Sequence, residues 1–275
     1  MELNEIKKHW DNLALKYSED IKSTTKTPTI KQLEINALLN TINSILEYDV
    51  VNNVLEVGCG NGHNLTGLSR ILNNIKFTGV DYSNEMILNA LNIIKKEEND
   101  RINFIVGNIL ELDVNNSLDK EYDIVFTDRC LINLNSLELQ LSGFKQLVNK
   151  TKQNGYIIII ENIIQTYKTQ NECRELIGLE PRVPDKYNLF LDEYMFLDFA
   201  KNNMRLQLLE TNDFGSLHDL ILYILLPKIN DNKIDYSHPL IKTTTEFLIN
   251  SNSKLKNSFG AFGQNRLYLF KKIKY

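Results

Sequence analysis

The residues best suited to chemistry form a glycine loop that is followed by an acid. Glu56 precedes three glycines at alternating positions, Gly58, Gly60 and Gly62. Glycines permit a sharp turn with positive φ and let a ligand lie against the backbone. About twenty residues later a predicted strand ends at Asp81, where a carboxylate can accept hydrogen bonds from two ribose hydroxyls. The pattern indicates a site for an adenosine-containing ligand between a strand and a helix.

The spacing of the glycines separates two classes of ligand. A dinucleotide site needs a third glycine three residues after the second, where the pyrophosphate meets the helix N-terminus. His63 stands at that position, so the nicotinamide fingerprint is broken. A glycine-rich turn that binds nothing is the alternative interpretation.

Two residues are candidates for proton transfer. Asp128 and its neighbour Arg129 follow the fourth predicted strand, at the sheet edge where α/β proteins place ligands. A salt-bridged surface loop is the alternative for this pair. His218 precedes an apolar run and has the more suitable ordinary pKa for a general base. A structural histidine is the alternative for His218.

Three arginines fall in segments that we expect over the cleft: Arg129, Arg174 and Arg182. A guanidinium can hold a phosphate or a carboxylate through paired hydrogen bonds. A surface or salt-bridge role is the alternative for each one. Together they predict an anionic substrate, with Tyr187 and Asn188 as further residues that contact it.

The hydrophobic periodicity supplies the elements that position these residues. Strands are predicted at 54–57, 77–81, 102–106, 122–127, 156–160, 207–214 and 265–271. Helices are predicted at 4–17, 29–46, 64–72, 83–95, 136–151, 193–201 and 243–249. Gln153, Asn154 and Gly155 are interpreted as the stop after the fifth of these helices.

The glycine loop, Asp81, the pair Asn108 and Ile109 after the third strand, and the closing strand occur in an ordered series. This series resembles class I S-adenosylmethionine-dependent methyltransferases. The resemblance implies a Rossmann-like α/β fold with helices on both faces of a seven-stranded, mostly parallel sheet of order 3-2-1-4-5-7-6. It implies one domain over 1–275, with a helical lid (1–50), a cofactor-binding core (51–165), a substrate-capping insertion (166–205) and C-terminal strands with a helix (206–275).

The resemblance also implies which residues contact S-adenosyl-L-methionine. They are Glu56, Gly58, Cys59, Gly60, Gly62, Asp81, Tyr82, Met86, Asn108, Ile109, Asp128, Trp10 and Tyr17. Many family members carry Asp where this chain has Asn108, whose side-chain carbonyl can also accept a hydrogen bond from the adenine amine. For Trp10 the alternative is a helix docked by its one large aromatic ring. Glu34, in the second helix, is a further candidate, and a solvated helix charge is the alternative for it.

A second resemblance concerns residues 127–134, the pair Glu161 and Asn162, and the segment 171–179. They resemble a subgroup associated with bacterial surface-polysaccharide and sugar-modification clusters. The implied activity is methyl transfer to an O or N atom of a small, anionic metabolite or nucleotide-linked sugar. The alternatives are a non-catalytic S-adenosylmethionine-binding partner subunit, a nicotinamide-dependent oxidoreductase and a nucleic-acid methyltransferase. Two observations weigh against a nucleic-acid methyltransferase. The sequence has no Asn/Asp-Pro-Pro-Tyr run after the fourth predicted strand, and its pI is about 5.7.

Composition narrows the choice of partners. The net charge of -4, from 31 basic and 35 acidic residues, creates no general attraction to nucleic acid or anionic lipid. No apolar run approaches the roughly 20 residues of a membrane helix. The 3 scattered cysteines favour neither disulfides nor zinc. We therefore expect a small-molecule substrate, no metal, no nucleic-acid or membrane partner and a cytoplasmic location. The sequence does not determine the oligomeric state and is compatible with a homodimer.

Overall fold

The computed structural model describes residues 3–97, 99–255 and 257–273. Residues 1, 2, 98, 256, 274 and 275 of the predicted domain lie outside the described residues. The sheet contains seven strands: β1 (Asn53–Val57), β2 (Lys76–Asp81), β3 (Ile102–Val106), β4 (Tyr122–Asp128), β5 (Thr151–Asn162), β6 (Leu206–Asn212) and β7 (Asn265–Lys272). Their order is β3-β2-β1-β4-β5-β7-β6, and β7 is antiparallel to both of its neighbours. The predicted fold class and strand order are confirmed.

Helices cover both faces of this sheet. They are α1 (Leu3–Tyr17), α2 (Pro28–Leu46), α3 (His63–Ser69), α4 (Asn84–Lys96), α5 (Leu137–Lys150), α6 (Ile164–Leu176), α7 (Glu193–Asn202), α8 (Ser216–Leu220), α9 (Leu226–Ile229) and α10 (Pro239–Leu255). Alternate residues of the strands point to opposite faces. Accordingly Val54 and Ile124 belong to the hydrophobic cluster under α2, α3 and α4, whereas Leu55 and Val125 belong to the cluster under α5 and α7.

Local sequence signals set several helix starts. The Ser83 side chain accepts a hydrogen bond from the Met86 N–H and caps α4, as predicted. Ser136 caps α5 in the same way through the Leu139 N–H. Pro28 occupies the first turn of α2, where its missing N–H leaves no helical hydrogen bond unmade.

The predicted start of the fifth strand is wrong. Strand β5 begins at Thr151 and includes residues 153–155, which the sequence suggested as a helix stop. Thr151 pairs with Tyr122, but Tyr156 pairs with Ile124, so β5 contains extra residues at this point. Asn154 has φ 65°, a left-handed conformation that Asn tolerates. The turn-forming residues therefore make a bulge inside a strand instead of a loop before it.

The segment between β5 and β6 has two parts. Helix α6 and the connection at 177–192 cross the carboxyl edge of the sheet. Helix α7 instead packs on the core, since the Phe196 ring lies 4.7 Å from the Phe144 ring and 5.9 Å from the Phe270 ring, between centroids. A π-helical turn (Ile221–Leu225) joins α8 to α9. Within the described part of the chain, no helix combines the length and the apolar character needed to span a membrane.

Candidate functional site

A cavity of about 980 Å³ lies over the carboxyl edge of the sheet. It is centred where β1 and β4 are adjacent and the strand order reverses, which is where open α/β sheets bind ligands. Ligand pockets usually measure about 300 to 1,000 Å³, so this volume is at the upper end. We call one half the glycine-loop half, and it is lined by residues 56–61, 81–83, 86 and 107–109. We call the other the cap half, and it is lined by residues 9, 162, 167, 182–185, 187, 188, 190, 219, 223, 234, 236, 264 and 265.

The first two loop glycines leave the backbone bare at the cavity. Gly58 has φ 78° and Gly60 has φ 53°, a region that L side chains rarely adopt. A Cβ atom on Gly58 would lie 2.5 Å from the Cys130 Cβ, and one on Gly60 would lie 2.6 Å from the Thr24 Cγ2. Both positions therefore require glycine for conformation and for space. Cys59, between them, also lines the cavity.

The third glycine has a different role from the one predicted. Gly62 does not line the cavity. It precedes α3 with φ 82°, and a Cβ atom there would lie 2.5 Å from the Phe104 Cζ. Its contribution is close packing at the start of the helix, so the prediction of ligand contact is wrong for Gly62.

Asp81 is fixed at the end of β2 by two backbone donors. Its Oδ2 accepts a hydrogen bond from the Gly60 N–H and its Oδ1 accepts one from the Ser83 N–H, each at 2.8 Å. Burial raises the pKa of this carboxyl, and the two donors oppose the rise. Each carboxylate oxygen keeps a further lone pair. The carboxylate is thus held in one orientation and can still accept from two ribose hydroxyls.

The other predicted residues of this half also meet at the cavity. Those that line it are Tyr82, Met86, Asn108 and Ile109, together with Trp10 and Tyr17 from α1. The Asn108 Oδ1 accepts a hydrogen bond from the Leu110 N–H at 3.1 Å. That bond fixes the amide and leaves one lone pair of its oxygen for a ligand.

A buried charge network forms the floor between the two halves. The Lys31 Nζ lies 2.5 Å from the Asp128 Oδ2 and 2.9 Å from the Glu34 Oε2. The Arg129 Nε lies 2.9 Å from the Glu34 Oε1. Burial opposes ionisation of Asp128, but Lys31 and Arg129 outweigh it and lower the pKa of Asp128. Asp128 is therefore a well-placed anion and a weak base.

Arg129 has a backbone conformation that residues other than glycine rarely adopt. Its φ is 56°, and its backbone N–H donates to the Ile160 carbonyl at 2.8 Å. Such strain at a loop over a ligand site indicates that the surrounding structure fixes the residue. The carboxylate of Glu161, buried beneath the loop, accepts from the N–H groups of Leu131 at 2.7 Å and Cys130 at 3.0 Å.

Unpaired acceptor oxygens collect beside this floor. Five side-chain oxygens of cavity-lining residues are buried without a hydrogen-bond partner among the described residues. They are Glu56 Oε2, Asn61 Oδ1, Asn64 Oδ1, Asp128 Oδ1 and Asn133 Oδ1. Burial raises the pKa of Glu56 to about 8. Buried polar groups in native proteins are normally satisfied, so these oxygens indicate a bound ligand with N–H donors or positive charge.

In the cap half, Arg182 lies between two tyrosines. Its Cζ is 3.6 Å from the centroid of the Tyr223 ring and 4.7 Å from that of the Tyr167 ring. Its Nη2 donates to the side-chain oxygens of Gln264, at 3.1 Å, and Gln170. Tyr187 and Asn188, which the sequence predicts to contact the substrate, line the same half.

The predictions for two site residues are wrong, because both residues lie away from the cavity. His218 is fully buried, with its Nε2 3.0 Å from the Thr29 Oγ1 and its Nδ1 3.0 Å from the Asp219 Oδ1. It joins α2 to α8 and is not placed to act as a base. Arg174 is also buried and donates to the backbone carbonyls of Glu180 and Tyr223. Its charge holds the connection after α6 in place instead of facing a substrate.

Sequence reasoning missed two residues of the site. Lys31 lines the cavity, and the available signal was its spacing of three from Glu34 on an otherwise apolar helix face. His9 also lines the cavity and stacks on Tyr187 at 4.0 Å between ring centroids. Burial lowers the pKa of His9, Asp185 opposes this, and Lys26 and Lys186 add to it. Its imidazole is therefore neutral at pH 7.

Among the residues that the structure describes, no three or more His, Cys, Asp or Glu side chains are grouped so as to hold a metal ion. Cys59, Cys130 and Cys173 are free thiols.

Comparison with known proteins agrees with this geometry. The sequence profile of the methyltransferase domain family matches residues 49–191, more than half of the chain. Malonyl-[acyl-carrier protein] O-methyltransferase of Priestia megaterium is 27% identical over 170 residues, which are 61% of this chain and 55% of that protein. The chain thus aligns with about half the length of this curated relative.

Two solved structures share the fold. A putative sarcosine dimethylglycine methyltransferase from Galdieria sulphuraria superposes with a TM-score of 0.55 at 15% identity, over 88% of this chain and 86% of that one. Magnesium protoporphyrin IX methyltransferase from Synechocystis PCC 6803 with bound SAH gives 0.55 at 12% identity, over 88% and 83%. Taken with the family match, they lead to one assignment. The chain belongs to the methyltransferase domain family, among the class I methyltransferases whose cofactor is S-adenosyl-L-methionine.

Proposed function

We propose that the protein transfers a methyl group from S-adenosyl-L-methionine to an O or N atom of a small, anionic acceptor. The observation that carries this proposal is that one cavity contains two sites of opposite charge preference. The glycine-loop half offers a fixed carboxylate and unpaired acceptor oxygens, and the cap half offers the Arg182 guanidinium. A positively charged donor and a negatively charged acceptor fit these halves respectively.

The residues of the glycine-loop half fit the cofactor in three places. Asp81 would accept from the ribose hydroxyls, and Asn108 from the adenine amine. The unpaired oxygens of Glu56, Asn64 and Asp128 would accept from the amino group of the methionine part. When bound, the cofactor supplies a methyl group that its sulfonium has already activated.

The chain mainly has to position the acceptor and exclude water. Methyl transfer needs a nearly linear approach at roughly 3 Å, which a preformed cavity favours. The links from Lys31 to Asp128 and from Glu34 to Arg129 hold α2 over the end of β4 and close the floor of the cavity. A single arrangement of the acceptor is thereby favoured before transfer.

We assign proton removal to His9 where the accepting atom carries a proton. The Nε2 of His9 is buried and has no hydrogen-bond partner among the described residues. Stacking on Tyr187 fixes the ring plane, and a neutral imidazole is a suitable base near pH 7. The low pKa of Asp128 makes it the weaker candidate.

An acid group on the acceptor agrees with the named acceptor of the curated relative, since a malonyl group carries a carboxylate. A nucleotide-linked sugar as acceptor, a role in surface-polysaccharide biosynthesis, the cytoplasmic location and a homodimer stay proposals that rest on the sequence. A non-catalytic binding subunit is the second candidate function, and His63 at the position of the third fingerprint glycine weighs against an oxidoreductase.

A panel of matched acceptors tests the proposed function. Each pair would differ only in charge, such as a sugar and its phosphate, or an amide and its carboxylate. We expect anionic members to be methylated at least about tenfold more efficiently, because Arg182 forms charge-assisted hydrogen bonds with them alone. Equal turnover of neutral members would refute the anionic acceptor. Cofactor binding without turnover on any acceptor would support the non-catalytic subunit instead.

A further inference from the structure

Aromatic rings make up much of the wall of the cap half. They come from α6, the connection at 177–192 and the segments that follow α8. The rings are Tyr167, Tyr187, Phe190, Tyr223 and Tyr236. The whole chain is only 9% aromatic, so this concentration on one side of one cavity distinguishes the cap half from the rest of the protein.

Contacts between rings hold part of this wall in place without a ligand. The Tyr167 and Phe190 rings meet edge to face at 4.8 Å and 82°. Tyr187 is stacked on His9 at 4.0 Å, and its ring meets Trp10 edge to face at 5.7 Å. Rings that are already ordered lose little freedom when a flat ligand packs on them. The wall is therefore suited to a planar ligand.

The guanidinium of Arg182 provides the positive charge within this wall. It donates hydrogen bonds to neutral amide oxygens, those of Gln170 and Gln264. Its Nε is buried and, within the described parts of the chain, forms no hydrogen bond. A partly buried cation without a carboxylate partner is unfavourable, and an anionic ligand would correct this.

The carboxylate of Asp219, which also lines the cap half, is already engaged. Asp219 Oδ1 lies 3.0 Å from the His218 Nδ1, and its Oδ2 accepts from the Gln264 N–H at 2.7 Å and the Gln170 amide at 3.2 Å. The two glutamines thus connect Asp219 with Arg182 and orient the guanidinium. This arrangement reserves the charge of Arg182 for a group that enters the cavity.

We propose that the acceptor is a planar aromatic acid, with its carboxylate or phosphate on Arg182 and its ring against the tyrosines of the cap half. This inference rests on the proposed function, because it names the class of acceptor within the same site. It also separates two acceptors that the anionic charge alone does not distinguish, an aryl acid and a sugar phosphate. Aromatic pairs prefer offset or edge-to-face geometry, which a saturated ring cannot reproduce.

The test is calorimetric binding to the full-length protein saturated with S-adenosylhomocysteine. The ligands form matched pairs: benzoate with cyclohexanecarboxylate, and phenyl phosphate with cyclohexyl phosphate. Benzamide serves as the uncharged control. We expect each aromatic acid to bind about tenfold more tightly than its saturated partner, and benzamide to bind weakly. Equal affinities within both pairs, or tighter binding of a sugar phosphate than of either aromatic acid, would overturn the proposal.

Variants assign the preference to the wall. Tyr223→Leu should reduce the ratio between benzoate and cyclohexanecarboxylate to about one, whereas Tyr223→Phe should preserve it. Tyr194→Leu, at an exposed ring outside the cavity, is the matched control. An unchanged ratio in Tyr223→Leu would contradict the placement. If Tyr223→Leu does not fold, the ligand pairs on the wild-type protein decide the question.

The same experiments separate failure of this inference from failure of the proposed function. If the protein shows no aromatic preference but methylates other anionic acceptors, only the proposal of an aromatic acid as acceptor is refuted. Absence of S-adenosylmethionine binding in the wild-type protein would remove the proposed function itself.

Discussion

The two halves of the cavity are built in different ways. The glycine-loop half comes from three consecutive strand-to-helix turns within residues 56–109, and its geometry is largely backbone geometry. The cap half collects side chains from α1 to β7, at positions as far apart as His9 and Asn265. The position of the donor site is set by the strand ends of the sheet, whereas the acceptor site is formed by the packing of distant segments. The fold therefore constrains the donor site, and sequence changes in the cap half can alter acceptor specificity.

The halves also differ in the charge that they leave unmatched. The glycine-loop half has buried acceptor oxygens without donors, and the cap half has a guanidinium with neutral partners. Between them, the network of Lys31, Glu34, Asp128 and Arg129 is internally paired. Each half is thus completed by a ligand of opposite character, while the floor keeps its ion pairs when both ligands leave.

The largest expected effect is confined to the glycine-loop half. Asp81→Ala removes two charge-assisted hydrogen bonds to the ribose, each worth about 1.5 to 3 kcal/mol. It also frees the Gly60 N–H that fixes the loop. We expect affinity for S-adenosylmethionine to fall at least about 100-fold, below the calorimetric limit. Asp100→Ala, at an exposed turn, is the control. Wild-type affinity in Asp81→Ala would remove Asp81 from the site.

His9→Gln should reduce turnover with little change in donor affinity. General-base catalysis contributes about 10² to 10⁴ in rate, so we expect kcat to fall about 100-fold at pH 7. The lowered pKa of His9 predicts that wild-type kcat declines at acidic pH, below the ordinary value of 6.5, as the imidazole becomes charged. The variant should lose this limb of the pH profile. A wild-type profile in His9→Gln would assign proton removal elsewhere.

Arg182→Gln tests the cap half in the opposite sense from Asp81→Ala. We expect KM for an anionic acceptor to rise about 10- to 100-fold, because a charged hydrogen-bond partner is lost. Affinity for the donor, measured by calorimetry, should stay within about twofold of wild type. Arg182→Lys should recover little, since the ammonium lacks the planar fork and the stacking surface. A parallel loss of donor affinity would show that the two halves are not separate.

A smaller effect is expected from the titration of Glu56. Its pKa is about 8 in the folded protein against an ordinary value of 4.5. A positively charged ligand group favours the ionised form, so donor affinity should rise about tenfold between pH 6 and pH 7, where the amino group of the donor is still charged. Glu56→Gln should lack this rise, and the difference between the two calorimetric series isolates the contribution of Glu56. Parallel series would contradict the contact.

The same shift has a definite sign for stability. Between the two pKa values the folded protein keeps the proton of Glu56 and the unfolded chain has lost it. The folded state then binds more protons, so the free energy of unfolding decreases as pH rises from about 4.5 towards 8. Melting temperatures of wild type relative to Glu56→Gln should decline across this window and level off above it.

Sequence reasoning succeeded where local chemistry determines structure. The glycine loop, Asp81 and the Ser83 cap depend on residues within a few positions or on one strand end, and they lie as predicted. It failed where tertiary packing decides. Histidine is a common general base, but the helix that carries His218 turns its ring towards Thr29 and Asp219 in the interior. Gly62 continues the glycine pattern, but Phe104 occupies the space beside it.

The cap half shows why the remainder of the site could not be predicted. Tyr223 lies in an apolar run in which nothing marks a ligand-facing ring, and only the path of the chain after α8 brings it to Arg182. The sequence does not distinguish Arg174 from Arg182. In the structure, Arg174 donates hydrogen bonds to backbone carbonyls, whereas Arg182 lines the cavity. Lys31 was hidden because its partner Asp128 is 97 residues away in the chain.

The most direct test of the division into two halves is a crystal structure of the protein with S-adenosylhomocysteine. The ribose hydroxyls should lie within hydrogen-bond distance of the Asp81 carboxylate, the amino group should meet Glu56 and Asp128, and the sulfur should face Arg182 across the cavity. An adenosyl group bound elsewhere, with nothing against Gly58 and Gly60, would contradict this division and the function that follows from it.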